Sequence, residues 1–250
     1  MTALDGTRVL VTGATSGLGA AMAAALAEAG ARVMVTGRDL ARAEAAAAEL
    51  GSSAIACRLD VRDERSVAAC VARARETWDG IDMLVNNAGI GMRTVNPSFL
   101  SEPQPFWEVT PAGFRDVLDT KVAGCFLMAR EVVPLMLRDG GGRIVNISMN
   151  EQTMVRRGFV PYGPAGAGVE ALSRVMAADL ADSPVTVNIL LPGGQGTRTG
   201  MVPDDAPDEV KARLLDPAVM GPPIVWLASD EAAGVHDQRI VANEFEPPRN

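Results

Sequence analysis

Three glycines near the start of the chain, Gly13, Gly17 and Gly19, lie in the run Arg8-Val-Leu-Val-Thr-Gly-Ala-Thr-Ser-Gly-Leu-Gly19. A short apolar strand enters this turn, and an alanine-rich helix leaves it at about Gly17. A turn without side chains lets the backbone approach a pyrophosphate closely, and N–H groups at a helix start face the negative charge. Thr15, Ser16 and Leu18 fill the same turn and belong to the candidate phosphate cradle. The next strand ends in Gly37 and Arg38. A carboxylate at that tip would bond an adenosine ribose and repel a 2′-phosphate, whereas a guanidinium pairs with the phosphate. NADP(H) is therefore expected in preference to NAD(H). Arg38 also fits a solvated cation, and Asp39 beside it a helix N-cap. Asp60 and Val61 close the third strand, where a carboxylate can bond an adenine amino group. Asn86-Asn87-Ala88-Gly89 closes the fourth, where small residues admit the backbone to a cofactor ribose.

The elements that must position these residues alternate in type. Strands are predicted over Arg8–Val11, Arg32–Thr36, Ala54–Leu59, Ile81–Val85, Arg143–Ile147, Val185–Leu191 and Gln238–Val241. Helices are predicted near Gly17–Ala29, Leu40–Leu50, Glu64–Trp78, Pro111–Leu137, Pro164–Ala181 and Pro217–Ala228. Val169, Leu172, Val175, Met176 and Leu180 mark one apolar stripe on the fifth of these helices, and Gly30 and Gly51 sit where helices should end. Such alternation implies an α/β Rossmann architecture, a parallel sheet with helices on both faces. No linker or repeat interrupts it, so residues 1–250 read as one domain. Gly91–Thr110 and Gly193–Asp216 are irregular and fall where a substrate pocket is expected, outside the carboxyl ends of the strands.

Composition narrows the classes of function. Hydrophobic residues make up 48% of the 250 residues, enough for a large core. No stretch of twenty is free of charge or glycine breaks, so no membrane span is expected. The first eight residues lack the apolar run of a signal peptide, which suits the cytoplasm. A net charge of −8 argues against nucleic acid as a partner. Cys57, Cys70 and Cys125 lack metal-ligand spacing and read as buried free thiols. His236 is the sole histidine, which leaves little for a metal site or a Ser-His-Asp triad; it reads as a surface-loop residue.

Taken in order, Thr12-Gly13-x-x-x-Gly17-x-Gly19, Asp60-Val61, Asn86-Asn-Ala-Gly89, Arg143-Ile-Val-Asn-Ile-Ser148, Tyr162 and Pro192-Gly193 resemble the short-chain dehydrogenases/reductases over nearly the whole chain. The resemblance implies a seven-stranded parallel sheet, homodimers or homotetramers, and hydride exchange between a nicotinamide and a carbonyl or alcohol of a small-molecule substrate. It also implies a catalytic Asn, Ser, Tyr and Lys, with Tyr162 as the proton donor or acceptor. The chain departs from that set at three of its four positions: Lys121 for the asparagine, Met149 for the serine and Gly166 for the lysine. Thr197 resembles the family threonine that meets the cofactor carboxamide, or is a plain loop residue.

These departures have physical consequences. A free phenol has a pKa of about 10, so only ~0.1% is ionised at neutral pH. A tyrosine without its lysine is thus a poor base for alcohol oxidation, yet it can donate a proton to the alkoxide formed in carbonyl reduction. The ammonium of Lys121 could move towards the gap left by Gly166, or it could snorkel or pair with Asp119 or Glu131. Met149 cannot hold a substrate oxygen strongly. Ser148 adjoins it but should point elsewhere, leaving Asn150, Gln152 or Thr153 as donors. Gly166 makes room for water or for a bulkier ligand. Phe99, Phe106 and Trp107 either line a pocket or anchor a loop, and Arg156 and Arg157 either meet an acidic substrate or are solvated. The sequence reads as an NADP(H)-dependent reductase with a rearranged site. The alternatives are a catalytically silent cofactor-binding protein and, on this fold, non-redox chemistry of the halohydrin dehalogenase kind.

Overall fold

Val9 and Val11 face one side of the first strand and Leu10 the other, and this period-two alternation builds two apolar layers about one sheet. The computed structural model describes residues 4–204 and 206–247; Met1–Ala3, the start of the segment searched for a signal peptide, lie outside them. The strands are β1 (Arg8–Val11), β2 (Arg32–Gly37), β3 (Ala54–Arg58), β4 (Met83–Asn86), β5 (Gly142–Ile147), β6 (Val185–Leu191) and β7 (Arg239–Val241). They form a seven-stranded sheet in the order β3-β2-β1-β4-β5-β6-β7. Every pairing is parallel, with Val9 opposite Val33 and Leu10 opposite Leu84. Such a sheet needs a crossover after each strand, and helices supply it.

On one face α1 (Gly17–Glu28) and α9 (Gly221–Ala228) bury Met22, Leu26, Ile224 and Leu227 against Val9, Val11, Val33 and Val35. On the other, α3 (Glu64–Trp78) and α5 (Gly124–Arg138) bury Val67, Val71, Met128 and Val132 against Leu10, Met34 and Leu84. Each such side chain contributes roughly 1.5–3 kcal/mol relative to exposure. The helix α2 (Leu40–Glu49) starts at Asp39, whose carboxylate accepts from the Arg42 N–H. Gly30 and Gly51 follow α1 and α2 at φ +99° and +81°, where the chain leaves each helix through the left-handed region.

Three expectations about helices are corrected. The stretch Pro111–Leu137 is not one regular helix: α4 (Pro111–Leu118) passes through a π turn, Asp119–Ala123, into α5. Inside this wider turn the Thr120 hydroxyl bonds back to the Asp116 carbonyl at 2.7 Å. The irregular stretches contain helix as well, 3-10 turns at Met92–Thr94 and Phe106–Glu108 in the first and α8 (Asp208–Ala212) in the second, and a short α6 (Glu151–Met154) stands between β5 and the next helix. Finally, α7 (Tyr162–Asp179) begins at the tyrosine itself, and Val175 is 57% exposed. The face that α7 buries carries Val169, Ser173 and Ala177. Ser173 is tolerated there because it accepts from the Asn146 amide at 2.8 Å and donates to the Val169 carbonyl at 2.7 Å.

His236 is likewise no loose surface residue. Its Nδ1 accepts the Val187 N–H at 3.2 Å and its Nε2 lies 2.9 Å from the Ala177 carbonyl. One imidazole therefore ties β6 to α7, as the neutral tautomer with the proton on Nε2.

Candidate cofactor and substrate site

The sheet places the carboxyl ends of β1, β2, β4, β5 and β6 around a cavity of about 880 Å³. Gly13, Thr15, Ser16, Gly17 and Leu18 form its floor. Gly13 holds φ +65°, and a Cβ there would come within 2.9 Å of the Ala88 Cα. A Cβ on Gly19 would run into the Gly13 carbonyl and the Asn87 amide, so Gly19 sits behind the turn rather than in the cavity wall. Asn87 donates through Nδ2 to the carbonyls of Thr12 (2.9 Å) and Gly13 (3.0 Å), and the Thr12 hydroxyl accepts the N–H groups of Asn87 and Ala88 at 2.9 Å each. The end of β4 is thereby sewn to the glycine turn. Ser16 precedes α1 without a side-chain bond to it and lines the cavity at the start of the helix. A turn so free of side chains, opening onto helical N–H groups, has the geometry that can accommodate a phosphate.

Arg38, Asp60, Val61, Asn87, Ala88, Gly89, Pro192, Gly193 and Thr197 complete the wall on the same side. The Asp39 carboxylate caps α2, which leaves the Arg38 guanidinium as the charged group at the tip of β2. Asp60 receives Arg62 Nε at 3.0 Å and Nη2 at 2.8 Å, and Arg62 also pairs with Asp116. The bonded guanidinium holds the Asp60 carboxyl below the usual carboxylate range.

At the other end stand the residues that could move a proton. Lys121 lies in the π turn, a distortion frequent at functional sites. Its ammonium rests 5.1 Å from the centre of the Tyr162 ring, and it makes no ion pair with Asp119 or Glu131. The Tyr162 hydroxyl donates to Met201 Sδ at 3.7 Å. Ser148 turns its hydroxyl to Glu170 Oε1 at 2.6 Å. Asn150 gives its amide to the Gly194 carbonyl, Gln152 is exposed outside the wall, and Thr153 lines the cavity.

The space beside Gly166 is filled. A Cβ there would meet Met149 Cε at 2.6 Å and Sδ at 2.8 Å, and Met149 is 7% exposed. The thioether thus occupies the volume that a longer residue at position 166 would need. This corrects the expectation of room for water or ligand: an apolar side chain that cannot bond a substrate oxygen packs against the one residue that makes way for it.

Phe99 is buried, packs edge-on against Phe159 and lines the cavity. Phe106 and Trp107, 68% and 72% exposed, touch each other and do neither of the things expected of them. Glu170, Arg239, Arg93 and Met201 also belong to this region, though no motif marks them. Glu170 accepts from Arg239 Nε at 3.0 and 3.1 Å, and Arg239 reaches the Met149 carbonyl at 3.2 Å. Arg93 binds the carbonyls of Gly200 and Val202 and the Asp204 carboxylate, and this holds the segment carrying Met201. The available signal for the first pair was a lone arginine within a strand and a lone glutamate beside an apolar stripe. Cys57, Cys70 and Cys125 are free and buried, and burial pushes the Cys125 thiol up to about 12.

The short chain dehydrogenase family model matches residues 7–209. The chain belongs to the short-chain dehydrogenase/reductase family. It is 32% identical over 246 residues to the 3-oxoacyl-[acyl-carrier-protein] reductase of Vibrio cholerae serotype O1, covering 96% of this chain and 97% of that one. It is 35% identical over 248 residues to the D-threitol dehydrogenase of Mycolicibacterium smegmatis, covering 95% and 92%. The crystal structure of the Brucella melitensis 3-ketoacyl-(acyl-carrier-protein) reductase complexed with NADH superposes with a TM-score of 0.84 at 29% identity, covering 95% of this chain and 97% of that one. The family is one of oxidoreductases that bind a nicotinamide cofactor and act on small molecules. Among the described residues no helix is long and apolar enough to cross a membrane, and no group of three or more His, Cys, Asp or Glu side chains could hold a metal ion.

Proposed function

We propose that the protein is an NADP(H)-dependent reductase of a small carbonyl or imine compound, with Tyr162 as proton donor. The observation that carries this is the Lys121 ammonium over the Tyr162 ring, in the wall of a cavity whose floor is the glycine turn. The glycine turn and the open start of α1 fit a pyrophosphate, and Arg38 without a competing strand-tip carboxylate favours a 2′-phosphate over a free ribose hydroxyl. Gly13, Thr15, Ser16, Gly17 and Leu18 would hold the phosphates, with Gly19 behind them. Asp60, Val61, Asn87, Ala88, Gly89, Pro192, Gly193 and Thr197 would line the rest of the nucleotide. The nicotinamide, when bound, supplies the hydride.

The chain's own residues supply the proton and the field. Tyr162 gives its hydroxyl proton to the oxygen that hydride addition leaves negative. The ammonium of Lys121 favours the phenolate that remains, a role that residue 166 cannot play as glycine. Thr153 is the hydroxyl on the cavity wall suited to hold the substrate oxygen, while Ser148 acts through Glu170 as a positioning residue. The reading takes residues 1–250 as a single dinucleotide-binding domain working as a homodimer or homotetramer. Exposed apolar side chains on three helices, Phe114, Phe126, Leu137 and Val175, support that assembly.

The test is NADPH and NADH consumption with a panel of ketones, aldehydes and imines. NADPH is expected to be consumed faster, and reduction to outpace oxidation of the matching alcohol at neutral pH. Lys121→Met should lower kcat about tenfold; an unaltered kcat would remove Lys121 from the mechanism. Met201 against the Tyr162 hydroxyl favours a second reading, a cofactor-binding protein without turnover. Under it, NADPH raises the melting temperature yet no substrate consumes it.

A further inference from the structure

The cations that line the cavity have identifiable employment, with one exception. Arg38 and Arg42 flank the strand tip assigned to the nucleotide, and Arg62 is bound to Asp60 and Asp116. Arg93 is bound to Asp204 and two carbonyls, and Lys121 rests on the Tyr162 ring. Arg156 also lines the cavity, and among the described residues its guanidinium has neither a carboxylate nor a carbonyl partner.

Arg156 is exposed, and its head group rests on an aromatic ring. The guanidinium carbon lies 4.8 Å from the centre of the Phe159 ring. Phe159 is itself 6% exposed and packs edge-on against Phe99, with ring centres 5.4 Å apart. Stacking on an aromatic face holds a guanidinium by its flat side and leaves its N–H edge free to donate, the geometry that suits two parallel bonds to a carboxylate or phosphate. Tyr162 packs against the small apolar cluster that contains Phe159, so the cation and the phenol adjoin one hydrophobic patch. Phe99, Leu100, Met149, Val202 and Leu214 give the wall around them its apolar character.

We propose that the substrate is an amphipathic anion, a ketone or imine on an apolar body that also carries a carboxylate or phosphate group, and that Arg156 binds that group. The proposal rests on the reductase reading for the reacting carbonyl, but its anion site can be measured without turnover. Benzoate, phenyl phosphate and methyl benzoate are titrated calorimetrically into the full chain and into Arg156→Met, whose aliphatic stem keeps the contact with Phe159. At least one of the two anions is expected to bind the native chain and to lose about tenfold or more in affinity in the variant. The neutral ester should bind weakly and equally to both. Which anion binds more tightly distinguishes a carboxylate substrate from a phosphate one. No binding of either anion, equal anion affinity in Arg156→Met, or an ester bound as tightly as benzoate would overturn the proposal. Failure to consume NADPH would fall on the reductase reading and leave this result standing.

Discussion

At the scale of the residue, the site is defined by an exchange. Position 166 is small and position 149 is large and apolar, and each explains the other: the Met149 thioether lies where a Cβ on residue 166 would be. The two positions should therefore not mutate independently. Gly166→Lys alone is expected to destabilise the fold, because its first side-chain atom would be forced to within 2.6 Å of Met149 Cε. Met149→Ala in the same chain should relieve it, giving a coupling of about 0.5–3 kcal/mol in a double-mutant cycle read by denaturant unfolding. Strict additivity would show that Met149 moves aside freely. Neither identity alone reveals the partnership, since one residue follows β5 and the other lies in α7, and only the fold brings them together. The glycine turn is legible for the opposite reason: Gly13 to Gly19 is one short local run, and its backbone geometry follows from the absence of side chains.

At the scale of the element, register decides which side chains work. The π turn at Asp119–Ala123 resets the rotation between α4 and α5 and accompanies the projection of Lys121 over Tyr162. Nothing in a 3.6-residue pattern announces such a turn, which is why Pro111–Leu137 reads from sequence as continuous helix. The stripe on α7 differs from its hydropathy pattern for a related reason: a serine is buried there and a valine is not, because Asn146 offers a hydrogen bond where hydropathy alone would ask for a hydrocarbon. The tie between α7 and β6 carries its own test. His236→Ala removes the acceptor of the Val187 N–H and the partner of the Ala177 carbonyl. It is expected to cost about 1–3 kcal/mol of stability, measured as a lower urea midpoint at unchanged slope. A variant as stable as the native chain would make the imidazole dispensable.

At the scale of the whole molecule, the parallel sheet covered by helices on both faces follows from the alternation visible in the sequence, while the strand order is seen only in the fold. The sequence did not reveal where the apolar surface would remain uncovered. Phe126 and Leu137 stay 47% and 44% exposed on α5, and Phe114 and Val175 are 37% and 57% exposed on α4 and α7. If this surface joins copies of the chain, Phe126→Glu should reduce the mass measured by light scattering to that of the monomer while the circular dichroism is kept. An unchanged mass would place the contact elsewhere.

The strap formed by residues 193–204 and 206–216 lines one side of the cavity without entering the sheet. It is fastened by Arg93, by Met201 against Tyr162 and by the Asn150 amide on the Gly194 carbonyl. Scaffold and tool are therefore separate parts. New chemical appetites can be acquired by rewriting the strap while heat tolerance, vested in the two hydrocarbon layers, is inherited intact.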